Sequence, residues 1–336
     1  MKIAFFELEG WEEAIIRARF SQDEIFVIPH KLNEQAIPEQ TDFDIIAIFV
    51  DSHITVDVLA HFPKLKMIVT RSTGFDHIDL EVCAQRNIAV TYVPGYGENT
   101  VAEFAFGLLL NLTRKLYQAI DQIKETGSFS LVGLRGVDLK GKTLGVVGTG
   151  RIGKEMIRIA KGFAMEVVAY DAFPDEQYAQ TAGFRYLSLE NLLQQADVIT
   201  FHCPYNKDTH HLLNQKNMQY VKKGAYIVNT ARGGIIETEA LVMALQSGQI
   251  AGVALDVLEE EGEIKEELHM SNDNDLHTEK FKMMVENHIL MRIPNVLITP
   301  HNAFNSEEAL LRILTTTFEN IEGFRNNKPV NLVPHA

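Results

Sequence analysis

The chain has 336 residues, more than one hydrophobic core usually serves, so two domains are expected. A formal charge of −14 and a pI near 5.3, with no basic run to offset them, argue against nucleic acid or an anionic membrane as partner, since both reward clustered Lys and Arg. The only cysteines, Cys83 and Cys203, lie far apart without metal-ligand spacing, which suits a reducing, cytoplasmic setting and implies no metal site.

The first residues, Met1 to Phe6, meet Glu7 and Glu9 too soon for a signal-peptide core and read as a strand. Short β-branched runs follow at Ile25 to Ile28, Ile45 to Val50, Met67 to Thr70 and Ile88 to Val93, alternating with helical stretches such as Trp11 to Phe20 and Leu80 to Gln85. That rhythm predicts a parallel sheet. After the loop Pro94 to Asn99, Thr100-Val101-Ala102-Glu103 reads as a capping box that opens one helix reaching to about Thr126. Its most apolar stretch, Phe104 to Leu110, is too short to span a bilayer.

A second alternating series starts at Leu144 and passes Ile199, Ile227 and Val253 to reach Val296–Thr299. The tail from Ser306 to Phe324 reads as one amphipathic helix, too little for a third domain, and is expected to return to the first. The fold class expected is α/β, with two Rossmann- or flavodoxin-like doubly wound parallel-sheet domains and an active-site cleft between them. Residues 1–100 plus 300–336 would form the substrate-binding domain, and 101–299 the NAD-binding domain.

The second series carries the most specific signal. The run Thr143 to Val147 leads into Gly148-Thr149-Gly150-Arg151-Ile152-Gly153, and Asp171 ends the next apolar run, Val167 to Tyr170. This strand, glycine turn, helix, strand, carboxylate order marks a dinucleotide-binding unit. Gly148 permits the tight turn, Gly150 lets backbone approach a pyrophosphate, and Gly153 lets the helix pack closely. Asp171 can accept from a ribose diol and would repel a 2′-phosphate, so NAD is the expected cofactor rather than NADP.

Arg232 follows the run Ile227 to Ala231, flanked by Gly233 and Gly234, and His301 follows Ile298-Thr299-Pro300, so both leave the carboxyl ends of strands. Glu261 stands in an acidic run of Glu259, Glu260, Glu261 and Glu263. Placed after an NAD unit, these three supply what reduction of a keto acid requires: a planar cation, a proton donor and an anion to support the donor. Each type alone is usually a solvated or packed surface residue; the combination favours catalysis.

Along essentially its whole length the chain resembles the D-isomer-specific 2-hydroxyacid dehydrogenases. The resembling segments are Ser72 to Asp79, Gly148 to Gly153, His202-Cys203-Pro204, Asn229 to Gly234, Ala254 to Val257 and Thr299-Pro300-His301, in the family's order. The resemblance implies that Arg232 binds substrate, His301 is the acid/base and Glu261 its partner. It further implies that Thr73 and Gly74 offer amides to the substrate carboxylate. Cofactor contacts are implied at Gly148, Gly150, Arg151, Ile152, Gly153, Asp171, Cys203, Pro204, Thr209, Thr230, Ala231, Arg232 and Asp256, the last bordering the nicotinamide. Tyr96 and Phe304 stand where many relatives have small residues and point, within the family, toward pyruvate and D-lactate. The same scaffold also serves glyoxylate, hydroxypyruvate and branched 2-keto acids, and some relatives only sense NADH. A homodimer is implied through the long helix after Thr100.

Two features depart from the family pattern. Many relatives carry a proline soon after the acidic triplet, where this chain has Gly262 and a long polar, then helical, insert to Arg292. Ser72 replaces a glycine found in much of the family, which narrows the backbone freedom of the loop. A phosphorylated substrate is disfavoured, because the loops nearest the site carry little positive charge beyond Arg71 and Arg232.

Overall fold

The computed structural model describes residues 1–259 and 278–334. The chain divides into two compact units, one of Met1–Tyr96 with Ser306–Ala336, the other of Gly97–Asn305.

In the first unit, β1 (Lys2–Phe6), α1 (Gly10–Arg19), β2 (Glu24–Ile28), β3 (Ile45–Ile48), α2 (Val56–Ala60), β4 (Met67–Thr70), α3 (Leu80–Gln85) and β5 (Ala89–Thr91) follow one another. All strand pairs are parallel, in the order β2-β1-β3-β4-β5. Strands covered on both faces read as continuous apolar runs rather than alternating ones, and Ile3 to Phe6, Ile45 to Ile48 and Met67 to Val69 are fully buried. One face packs Phe6, Phe43, Ile46, Ile68 and Val90; the other packs Ile3, Phe5, Ile45 and Met67. The C-terminal helix, Glu307–Arg325, lays Leu314, Phe318 and Ile321 on that second face. Its Phe318 meets the Phe20 ring edge-on at 5.3 Å, and Arg19 grips Glu322 through two bonds of 2.8 Å. Strand order reverses between β1 and β3, the switch point of a flavodoxin-like sheet.

The second unit opens with α4 (Glu98–Arg114) and α5 (Leu116–Thr126). The single helix expected from Thr100 to about Thr126 is thus two helices, beginning two residues earlier behind Gly97 and broken at Lys115, which is left-handed at φ 53°. The physical reason lies in the last turn of α4. Val137 N–H donates to the Thr113 carbonyl at 3.0 Å, taking the acceptor the next turn would need, and Lys115 Nζ donates to the Gly133 carbonyl at 2.8 Å. Thr113 also returns its hydroxyl to the Leu109 carbonyl at 2.8 Å, which bends helices.

Then come β6 (Thr143–Val147), α6 (Arg151–Gly162), β7 (Glu166–Tyr170), α7 (Glu176–Ala182), β8 (Arg185–Tyr186), α8 (Leu189–Gln195) and β9 (Val198–Phe201). They are followed by β10 (Ala225–Asn229), α9 (Thr238–Gln246), β11 (Ile250–Leu255), α10 (Thr278–Arg292) and β12 (Val296–Ile298). The sheet is again wholly parallel, in the order β12-β11-β10-β9-β6-β7-β8, with its switch point between β6 and β9. Helix α4 buries Ala102, Ala105, Phe106, Leu109 and Leu112 against Leu144, Val146, Met156 and Ala160, whereas α5 buries none of its residues. Among the described residues no helix is long and apolar enough to cross a membrane.

Candidate active site

In open parallel sheets, ligands bind beyond the carboxyl ends of strands, and most readily at the switch point. Gly148 leaves β6 there with φ +92°, and a Cβ on it would lie 2.5 Å from the Cys203 nitrogen. Only glycine therefore lets the turn rest against the end of β9. A Cβ on Gly153 would reach the Gly148 carbonyl oxygen at 2.1 Å, so the first turn of α6 is seated on the same loop. Among the described residues, a Cβ at Gly150 would meet nothing within 4 Å and no side chain caps α6. The helix N-terminus thus presents amides beside an open approach, the arrangement that takes a pyrophosphate.

Asp171 follows β7 and is held at both oxygens. One accepts Thr149 N–H at 2.6 Å and the Thr149 hydroxyl at 2.9 Å; the other accepts Phe173 N–H at 2.9 Å. Fixed in this way, its remaining lone pairs match a ribose diol and oppose a phosphate. Arg151 pairs with Glu98 at 3.5 Å, and Ile152 packs into the core beneath α6.

At the end of β9, His202 Nε2 contacts the Thr200 hydroxyl at 2.8 Å, while its buried Nδ1 has no partner among the described residues. Burial holds the ring down to about 4, so it stays neutral, and the same effect pushes the Cys203 thiol up to about 11. Thr209 closes the next loop, donating to the Pro204 carbonyl at 2.7 Å and accepting Asn206 N–H at 2.8 Å. Beyond β10, the Thr230 hydroxyl, beside Ala231, is likewise buried without a partner among the described residues. Two orphaned polar atoms, an open glycine cradle and an anchored carboxylate are a donor and acceptor set that fits a dinucleotide.

The loops that carry Arg232 and His301 leave β10 and β12, which flank β11 in the sheet. Asn229 ends β10 and ties the turn after it, its Oδ1 accepting Ala231 N–H at 3.0 Å and its Nδ2 donating to the Arg232 carbonyl at 2.9 Å. Gly233 then passes so close to Leu258 and Glu259 that a Cβ would lie 2.1 Å from their peptide. One residue beyond β11, Asp256 N–H donates to the Asn229 carbonyl and its carbonyl accepts His301 N–H, each at 2.9 Å. The buried Asp256 carboxylate accepts the Thr299 hydroxyl at 2.5 Å and the Asn302 and Ala303 amides at 2.8 Å each. Burial pushes its pKa up, and these donors together with the nearby His301 pull against that rise.

His301 itself sits at φ 53°, a left-handed backbone that a non-glycine residue holds only when its surroundings enforce it. Asp256 supplies that enforcement. Arg232 and His301 accordingly emerge two strands apart, about 10 Å across the sheet, on loops joined through one buried acid. The resemblance makes Asp256 a neighbour of the nicotinamide; its carboxylate is spent on the His301 loop, a role visible in sequence only as an acid at a strand end.

Glu261 and Glu260 lie outside the described residues. Glu259, the first of the acidic run, is buried at 8% exposure and accepts His211 Nε2 at 2.5 Å and the Thr238 hydroxyl at 2.8 Å. In the first unit, Thr73 and Gly74 follow β4, and the Thr73 hydroxyl donates to the Val93 carbonyl at 2.9 Å. The Tyr96 carbonyl accepts from Arg312 Nε at 2.6 Å, and the Tyr96 and Phe304 side chains are half-buried. Arg71 is a correction to the charge count: it is buried against Glu12 at 2.5 Å and donates to the Glu7 carbonyl at 2.7 Å, so it is neutralised inside the unit.

The sequence pattern described as D-isomer specific 2-hydroxyacid dehydrogenase, NAD binding domain, matches residues 106–303, more than half of the chain. The chain belongs to the D-isomer-specific 2-hydroxyacid dehydrogenase family. It is 37% identical over 334 residues to 2-hydroxyacid dehydrogenase A of Aspergillus oryzae, covering 96% of this chain and 92% of that one. It is 35% identical to D-lactate dehydrogenase of Escherichia coli, over 88% of both chains. The solved D-lactate dehydrogenase of Aquifex aeolicus, complexed with NAD and lactic acid, is 31% identical and superposes with a TM-score of 0.87 over 99% of both chains.

Family membership makes the second unit an NAD-binding domain, and we propose Asp171 as its discriminator between dinucleotides. Asp171→Ala removes the acceptor and the repulsion together. Fluorescence titration should show NADH binding weakened about tenfold, the factor one charge-assisted hydrogen bond is worth, and preference over NADPH largely lost. Retained preference would mean that Asp171 serves only the Thr149 turn.

Proposed function

We propose that this 2-hydroxyacid dehydrogenase interconverts pyruvate and D-lactate. The observation that carries the reading is Asp256 at the end of β11, whose amide ties the end of β10, which leads into Arg232, and whose carboxylate holds the His301 loop after β12. When bound, NADH supplies the hydride for C2 of the keto acid. In the direction of reduction, protonated His301 gives its ring proton to the keto oxygen, so the product leaves as a hydroxyl and the ring becomes neutral. The planar Arg232 guanidinium binds the substrate in line, and the Thr73 and Gly74 amides take its carboxylate. Glu261 is the proposed carboxylate partner that favours the imidazolium. Tyr96 and Phe304 are the proposed limits on side-chain size, and the likeness to lactate enzymes of two bacteria supports a one-carbon side chain.

A panel of pyruvate, glyoxylate, hydroxypyruvate and a branched 2-keto acid, followed by NADH consumption and chiral analysis, tests this. Pyruvate should give the highest kcat/KM, with D-lactate as product. A higher value for any other acid overturns the pyruvate reading, and tight NADH binding without any turnover would make the protein a sensor instead. Arg232→Lys keeps the charge and loses the fork, so kcat/KM should fall by at least about a hundredfold; near-parental kinetics would remove Arg232 from this role.

We also propose a homodimer, on the exposed apolar face of α5. Leu116, Tyr117, Ile120 and Ile123 are 44%, 57%, 53% and 44% exposed, and Phe129, Leu131 and Val132 beyond the helix exceed 80%. Such a contiguous patch is costly in water and marks a contact surface. Sedimentation should give twice the 37.9 kDa chain mass, reverting toward one chain in Ile120→Asp. A parent that sediments as a single chain would exclude the dimer.

A further inference from the structure

The loop after β4 carries a hydrogen-bonded chain that the proposed reaction does not use. Ser72 and Thr70 are buried, at 2% and 0% exposure. The Ser72 hydroxyl donates to the Gly74 carbonyl at 2.7 Å and lies 2.6 Å from the Thr70 hydroxyl, which in turn lies 3.2 Å from His77 Nε2.

Counting protons gives this chain one direction. A carbonyl can only accept, so the single Ser72 proton goes to Gly74. The Ser72 oxygen must therefore accept from Thr70, which spends the single Thr70 proton. Thr70 in turn accepts from His77, so the ring carries its proton on Nε2. Three donors thus run in series from His77 through Thr70 and Ser72 to one backbone carbonyl, and bonds arranged in series polarise and strengthen one another.

The target of that series is specific. A bond from Ser72 to the Gly74 carbonyl brackets Thr73 and sets the orientation of the peptide groups between, whose N–H groups belong to Thr73 and Gly74. From the other side the loop is held by Val93 N–H on the Ser72 carbonyl at 3.0 Å and by the Thr73 hydroxyl on the Val93 carbonyl at 2.9 Å. The bracket replaces what a glycine at position 72 lacks: a side chain that can close the loop on itself. Glycine leaves such a loop free to turn its amides away, whereas Ser72 fixes them before any ligand arrives, which lowers the ordering cost of binding.

We propose that Ser72, backed by Thr70 and His77, is a positioning residue that preorganises the Thr73 and Gly74 amides for the carboxylate of a 2-keto acid. This rests on the proposed role of those amides. Ser72 would then govern capture of the acid, not the transfer step and not the dinucleotide, which binds the other unit.

Steady-state kinetics with pyruvate, alongside NADH titration and thermal melting, test it on Ser72→Ala and Thr70→Val. In Ser72→Ala, KM for pyruvate should rise about tenfold, the factor one buried hydrogen bond is worth, with kcat and the NADH Kd each within twofold of the parent. Thr70→Val keeps the Ser72 bond without its polarising donor and should raise KM about threefold. A KM within twofold of the parent in a folded Ser72→Ala protein overturns the proposal. A fall in kcat at constant KM also overturns it, as does a parallel loss of NADH affinity and melting temperature. Should Ser72→Ala fail to fold, Thr70→Val decides alone: parental KM refutes. A parent inactive on every acid of the panel removes the role of the amides, and Ser72 with it, whereas an active parent with an unmoved variant removes Ser72 only.

Discussion

A buried carboxylate at the end of β11 holds the loop that carries His301 in place. Asp256 reaches backward with its amide to the Asn229 carbonyl and forward with its own carbonyl to His301, while its side chain clasps Thr299, Asn302 and Ala303. Burying a carboxylate is expensive, which is why its pKa rises. The expense is offset by three donors, which also hold His301 in a left-handed backbone that would otherwise relax. Loss of the acid would release the loop after β12, whereas the tie to β10 runs through the backbone amide of residue 256 and would remain.

The cofactor end depends on a different constraint, the absence of side chains. Gly148 and Gly153 are places where a Cβ would strike backbone, so the turn, β9 and α6 interlock only through glycine. Around them, neutral His202 and the protonated Cys203 thiol keep the switch point free of added charge, leaving Asp171 as its fixed anion. Backbone crowding and carboxylate anchoring therefore divide the second unit: one shapes the dinucleotide turn, the other the loops proposed for proton transfer and substrate binding.

Much of this was legible from residue order. Fully buried strands appear as unbroken apolar runs, and the glycine turn with its downstream acid announces a dinucleotide because few other chemistries need that spacing. The break at Lys115 was not legible, because the group that takes the Thr113 carbonyl belongs to Val137, remote from the helix in sequence. Arg71 reads as a loop cation and is an internal ion pair with Glu12. Glu259 reads as one charge on a wet acidic face and is buried against His211 and Thr238. In each case the partner lies far away along the chain.

Local rules thus determined from sequence the strands other than the two-residue β8, where the dinucleotide turn falls, and that Arg232 and His301 leave strand ends, since periodicity, turn chemistry and glycine sterics act over a few residues. Strand order belonged to the tertiary structure, and with it the neighbourhood of β10, β11 and β12, the clasp of Asp256 on the His301 loop and the directed chain from His77 to Gly74. Those depend on hydrogen-bond partners brought together by packing, and a donor's choice among distant acceptors is made only once the intervening chain has folded.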